Sequence, residues 1–258
     1  MKAVWLLILN AAPRLPFAAL LLSVATSASA DTVFGVYAGA GSWLQDYHGK
    51  IASGITEVDV ADDLAIGEQQ NNVFYFAMEH PVPVLPNVRL AYARFEAQDQ
   101  SLLDRTIDFN GVIFPDGTDI ETLVDMTQGD AVFYYELLDN VLSFDLGVAA
   151  RYVDGEVEIS SSGDASRAEF SAWIPLGYAR ARINLPFTGL FIGGEALGLG
   201  YNDESMTDAN AQIGWHSPYG VGIELGYRWY RADLESHGDL DSAEIDVSGP
   251  FAALNLHF

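Results

Sequence analysis

Any chemistry in this chain must come from carboxylates, arginines and five histidines, because there is no cysteine; thiol catalysis, disulfides and Cys-ligated zinc are excluded. His237 stands near Asp239 and Asp241, and a histidine beside carboxylates suits a general base. The plainer reading is a solvated histidine in an acidic segment. Asp59, Asp62 and Asp63, or Asp239 and Asp241, offer the hard oxygen ligands that Ca²⁺ or Mg²⁺ prefers, without the glycine-punctuated spacing of an EF-hand. A third set, Asp145, Arg151, Arg180, Arg182, Glu195, Glu224 and Arg228, lies within stretches where every second residue is apolar. In a strand that period places all the charges on one face, as an ion-pair network or the lining of a polar conduit.

Strands must position these residues. Alternating segments separated by turn residues fall at 33–46, 71–80, 88–96, 130–138, 141–154, 168–184, 190–202, 207–217, 219–231 and 245–258. The clearest sets Val221, Ile223, Leu225, Tyr227 and Trp229 against Gly222, Glu224, Gly226, Arg228 and Tyr230. The last puts Ala252, Leu254, Leu256 and the terminal Phe258 on a lipid-facing side, with Ala253, Asn255 and His257 opposite. That ending is the insertion signal an outer-membrane barrel presents to its assembly machinery. Short connections (81–87, 139–140, 186–189, 217–218) alternate with long ones (47–70, 97–129, 155–167, 232–244), as periplasmic turns alternate with extracellular loops. The fold expected is an all-β antiparallel transmembrane β-barrel of ten strands, or eight if the first two segments fail, with short periplasmic turns and long acidic extracellular loops.

Residues 1–30 carry Lys2, two apolar stretches and Ala28-Ser29-Ala30, the plan of a cleaved signal peptide. The barrel domain is then 31–258. Asn10, Pro13, Arg14 and Pro16 leave no run near the ~20 apolar residues of a spanning helix.

The formal charge is −24. Losing Lys2 and Arg14 with the signal peptide leaves 10 of the 12 basic residues against 36 acidic ones, or −26. Nucleic acid is excluded as a partner. Outer windows 47–70, 96–130, 154–169, 202–208 and 231–246 carry −4, −8, −4, −3 and −5, nearly the whole charge. Such a rim draws cations, repels anions, and coexists with lipopolysaccharide phosphates best when Ca²⁺ or Mg²⁺ bridges them or the medium is salty. The partners expected are outer-membrane lipid and lipopolysaccharide, the assembly machinery and, if the lumen is open, a small cationic solute.

Pairing Leu185 with Leu190 places Arg180 opposite Glu195 as a lumenal salt bridge and turns Ile183 and Ile192 to lipid. The same bookkeeping across Asp139-Asn140 puts Tyr134 beside Asp145 and Glu136 beside Ser143. Small barrels are filled by side chains, so these charges read first as a packed plug and second as a polar pore. His80, His216 and His257 read as interfacial polar residues. His48 and His237 lie on the outer side, where omptin proteases keep acidic residues and a histidine, but the omptin acidic pairs are not recognisable. No Ser/His/Glu triad stands out at one membrane level. Ile107, Phe109, Val112, Ile113 and Phe114 form an apolar cluster that needs cover, by strand extension, a constricting plug or a partner.

Gly35-Val36-Tyr37-Ala38-Gly39-Ala40-Gly41, the stretch Glu79-His80-Pro81-Val82-Pro83-Val84-Leu85-Pro86-Asn87-Val88-Arg89-Leu90 and Tyr134-Tyr135-Glu136-Leu137-Leu138-Asp139-Asn140 carry a resemblance. With Ala172-Trp173-Ile174-Pro175, Asn184-Leu185-Pro186-Phe187-Thr188-Gly189-Leu190 and the terminal strand, the mature chain resembles a proteobacterial family of small outer-membrane barrel proteins without established activity. The resemblance implies fold and location and transfers no site residue. The function expected is a structural or surface-interaction role with a packed lumen, without enzymatic activity. The alternatives are a narrow cation-preferring channel and, third, an omptin-like rim hydrolase.

Overall fold

The computed structural model describes residues 34–54, 56–201 and 204–258; the proposed signal peptide lies outside them. The elements are β1 (Gly35–Ala52), β2 (Glu57–Asp59), β3 (Gln69–Glu79), β4 (Asn87–Leu102), β5 (Ile107–Phe109), β6 (Val112–Phe114) and β7 (Asp119–Asp139). They continue as β8 (Leu142–Ser160), β9 (Ala165–Asn184), β10 (Leu190–Tyr201), β11 (Glu204–His216), β12 (Val221–His237) and β13 (Leu240–His257). Each long strand pairs antiparallel with its neighbour, and β13 pairs with β1. The result is a closed ten-strand barrel without a free edge, so the eight-strand alternative falls. The terminal residue zips the seam: the Phe258 and Val36 amides each donate to the other's carbonyl at 2.9 Å.

β8 shows why the barrel divides into two storeys. Its outward positions read Leu142, Phe144, Leu146, Val148, Ala150 and Tyr152, then Asp154, Glu156 and Glu158. Its inward positions read Asp145, Gly147, Ala149 and Arg151, then Val153, Gly155, Val157 and Ile159. The polarity of the two faces swaps at Tyr152. β12 swaps at Trp229, passing from Val221, Ile223, Leu225 and Tyr227 outside to Arg231, Asp233 and Glu235, while its inner face turns from Glu224 and Arg228 to Tyr230, Ala232 and Leu234. Tyr92, Tyr152, Trp173, Tyr227 and Trp229 are exposed at this level as a girdle, and Tyr152 and Trp173 lie with ring centres 4.9 Å apart. From Leu142 to Tyr152 the strand spans roughly 34 Å at ~3.4 Å per residue. A tilt of ~40° reduces this to about 25 Å, the height of a lipid-facing band. Beyond the girdle β8 runs eight residues further, so the upper storey is a β-barrel turned outside-in relative to the lower one: charged outside, apolar within.

This corrects the expected long loops. Residues 97–102 and 119–129 are strand, 155–160 and 165–167 are strand, and β12 and β13 are joined by Gly238 and Asp239 alone. The remaining connections fold back as cover. β5 and β6 form a hairpin turning at Asn110-Gly111, both at positive φ (47° and 79°), the geometry that selects Asn-Gly. Ile107, Phe109 and Phe114 are buried beneath it, Val112 is half-buried, and Ile113 points to solvent. The apolar cluster is thus covered by strand extension and by its own hairpin.

The expected β9–β10 register holds: Glu195 faces Arg180 and Ile192 faces Ile183. The β7–β8 register differs. Tyr134 faces Gly147, Glu136 faces Asp145, and Asp139 faces Ser143. At the turn Leu138 faces Phe144 where Val141 was expected, a shift of three, and a β-bulge between Glu136 and Leu138 takes one residue back. Together they shift the register by two, an even number, so Tyr134 and Asp145 stay on the inner face.

Candidate functional site: a lumen closed at two levels

At girdle level Arg151, fully buried, donates Nε and Nη2 to the two carboxylate oxygens of Asp130 at 2.7 and 2.8 Å and Nη2 to Asp208 at 2.7 Å. Arg228 grips Asp208 with two further bonds, 2.8 and 2.6 Å. Its guanidinium lies 4.5 Å from the Trp43 ring centre, and the buried Trp43 donates Nε1 to the Gly249 carbonyl at 3.2 Å. Strands β1, β7, β8, β11 and β12 thereby meet in one layer spanning the lumen. Two arginines and two aspartates balance, as groups held away from water require.

Below this layer lies a polar chamber of about 110 Å³. Arg89 clamps Glu195 from across the lumen at 3.0 and 3.1 Å, and Tyr178 donates to the same carboxylate at 3.1 Å. The predicted Arg180–Glu195 contact is therefore corrected: the two are register partners, but Glu195 is bonded by Arg89 and Tyr178, while Arg180 pairs with Asp145 at 4.0 Å. Across a tube, a long side chain from a distant strand can outreach the neighbour one strand away. Glu224 accepts from Tyr75 at 3.2 Å and Asn255 at 2.8 Å. Arg182 bonds Asn184 at 2.8 Å and His216 at 3.1 Å and stacks 3.7 Å over Phe191. His257 stacks on Tyr37 inside the barrel, and His80 caps its own turn through the Pro86 carbonyl.

Above the layer the lumen is apolar. Phe95, Tyr47, Tyr230, Met206 and Val157 are buried there, capped by Leu64, Ile66, Leu103 and Ile107. Residues 59–66, which fold back through turns at 60–64, roof it. Asp59 Oδ1 accepts from the Ala61 and Asp62 amides at 3.0 and 2.9 Å, and Asp63 accepts from the Asp59 amide at 2.7 Å and from Arg105. Burial pushes the Asp63 carboxyl up, but the Arg105 hydrogen bond, the Asp59 amide and the Arg105 charge outweigh it and hold it below its ordinary 3.8. Asp239 and Asp241 likewise accept from the Glu169 and Gly54 amides at 3.1 and 2.8 Å. Four of the five aspartates cap backbone or bind arginine, and among the described residues no group of three or more His, Asp or Glu side chains could hold a metal.

Ala252, Leu254 and Phe258 face outward, with Ala253 and Asn255 buried inside. His48 sits on the outer wall beside Asp46 at 3.3 Å, and the His237 side chain lies outside the described residues. Sequence reading missed Arg89, Trp43, Asp130 and Asp208. The two aspartates were counted with the outer windows, yet both are buried lumenal charges. Their phase was the available signal: Asp130 alternates with Val132 and Tyr134, and Asp208 with Asn210 and Gln212, all inward.

No family model and no curated protein matches this sequence. Among solved structures, the outer membrane protease OmpT from Escherichia coli superposes with a TM-score of 0.56 at 11% identity, covering 87% of this chain and 96% of that one. The fold is that of an outer-membrane β-barrel. Ail of Yersinia pestis (TM-score 0.39, 8% identity, 88% and 100% covered) and the translocator domain of NalP from Neisseria meningitidis (0.43, 10%, 89% and 90%) are more distant. At such identities the likeness extends to architecture alone.

Proposed function

We propose that this chain is a non-conducting outer-membrane protein that raises a rigid acidic surface above the bilayer and works by contact, without a catalytic step. What supports this reading is two barriers across the lumen, the Asp130–Arg151–Asp208–Arg228 layer and the apolar cap of Leu64, Ile66, Leu103 and Ile107 above it. A path for ions would have to break both. The acidic charge stands largely on strand faces above the girdle, where Asp154, Glu156, Glu158, Glu169, Asp233 and Glu235 outnumber Arg167, which pairs with Glu156 and Glu158, and Arg231, which pairs with Glu244. A net negative face steers partners of the opposite sign, so the partner class is one with a basic face or divalent cations between anionic groups. The signal peptide plan, the lipid-facing band and the resemblance to small proteobacterial barrels support export to the outer membrane.

The test is adsorption of poly-lysine to the nanodisc-embedded protein. Binding should weaken with salt and fall when Asp154, Glu169 and Glu235 are changed together to their amides. Binding indifferent to that change would overturn the contact role.

A further inference from the structure

Above the ionic layer the barrel encloses a chamber of about 90 Å³, walled by apolar side chains from β1, β4, β7, β8, β9, β11, β12 and β13. Phe95, Met126, Val157, Met206, Tyr230 and Ile245 are among them. Met126 and Ile245 are only half-buried although they point inward, so their free faces look into the chamber. An apolar wall without atoms opposite loses its dispersion contacts. Water does not replace them, because a buried water needs two to four polar partners, and no unpartnered buried polar atom belongs to the chamber walls among the described residues. The floor offers no free charge: Arg151 is spent on Asp130, Asp208 and, through Nη1, the Met206 sulfur at 3.6 Å. Two of the chain's four methionines line this one space, and methionine adapts its shape to what it contacts.

We propose that this chamber binds one small, uncharged apolar molecule, of the order of an aromatic ring or a short alkyl chain. The acidic exterior turns away anions, and the chamber lining holds no carboxylate to pair with a cation. Its place above the girdle separates the occupant from the bilayer's own acyl chains, and the ionic floor means the molecule is held rather than passed inward.

The experiment uses protein labelled with ¹³C-methyl methionine, purified from outer membranes into nanodiscs and titrated with benzene and, separately, n-hexane. Met126 and Met206 methyl signals, assigned by single Leu exchanges, should shift saturably. Met78 faces lipid and reports partition into the bilayer, which does not saturate. Ala172→Leu and Ala243→Leu, each filling the chamber from a different strand, should weaken the saturable response at least tenfold in protein shown to be folded by its heat-modifiable gel mobility. Shifts that stay linear and equal at all three methyls, or that persist unchanged in both filled variants, would overturn the proposal.

Discussion

Arg151→Met tests the ionic layer where it is most exposed to refutation. Methionine matches the length of the stem and removes three charge-assisted hydrogen bonds, two to Asp130 and one to Asp208. Asp208 keeps both bonds from Arg228; Asp130 loses both bonds from its arginine. Hydrogen bonds to charged groups contribute about 1.5–3 kcal/mol each, and removing one partner of a buried pair costs about 3–5 kcal/mol. The second figure applies, since the exposed half of the cost is the stranded Asp130 carboxylate. Arg151→Met should therefore lose about 3–5 kcal/mol, and adding Asp130→Asn, which removes the stranded charge, should recover about half. Reversible urea unfolding in phosphatidylcholine vesicles, followed by tryptophan fluorescence, measures both. A loss under about 1 kcal/mol, or a double variant that loses the sum of the singles, would refute a coupled buried layer.

Glu195→Gln should cost about 3 kcal/mol in the same assay, by stranding Arg89, whose Nη1 already lacks a partner; a value near zero would mean the lower chamber is solvated. Trp43→Phe loses the bond to Gly249 and part of the Arg228 stack, for about 1–2 kcal/mol. Phe109→Ala should weaken the upper storey by about 3–5 kcal/mol and show as protease cleavage within 103–118, while the membrane-level barrel stays resistant. Because the folded Asp63 carboxyl lies below its ordinary 3.8, its contribution is present above that value and is lost as pH falls through the lower folded one. Cleavage within 57–66 should accordingly rise only below pH 3.8, whereas Asp63→Asn should show it at neutral pH.

The membrane-level barrel was legible because its alternation is strict. Strand order, the inward charges and the β9–β10 register all follow from period two and a short turn. The upper storey was not, for the same reason. At Tyr152 and Trp229 the alternation continues with its faces exchanged, and a rule that expects apolar residues outside stops there and reads loop. Val153, Val157 and Ile159 against Asp154, Glu156 and Glu158 carried the continuation openly. Ion partners were the other gap. Register names the neighbour one strand away, but Arg89 reaches Glu195 across the tube, and only closure of the barrel sets that distance.

The most direct test of a closed lumen is the current through single molecules in planar bilayers under a salt gradient. Folded protein should give a flat baseline at neutral pH, with no steady steps. Steady, cation-selective steps would contradict the closed lumen and put the acidic upper storey at the mouth of a channel.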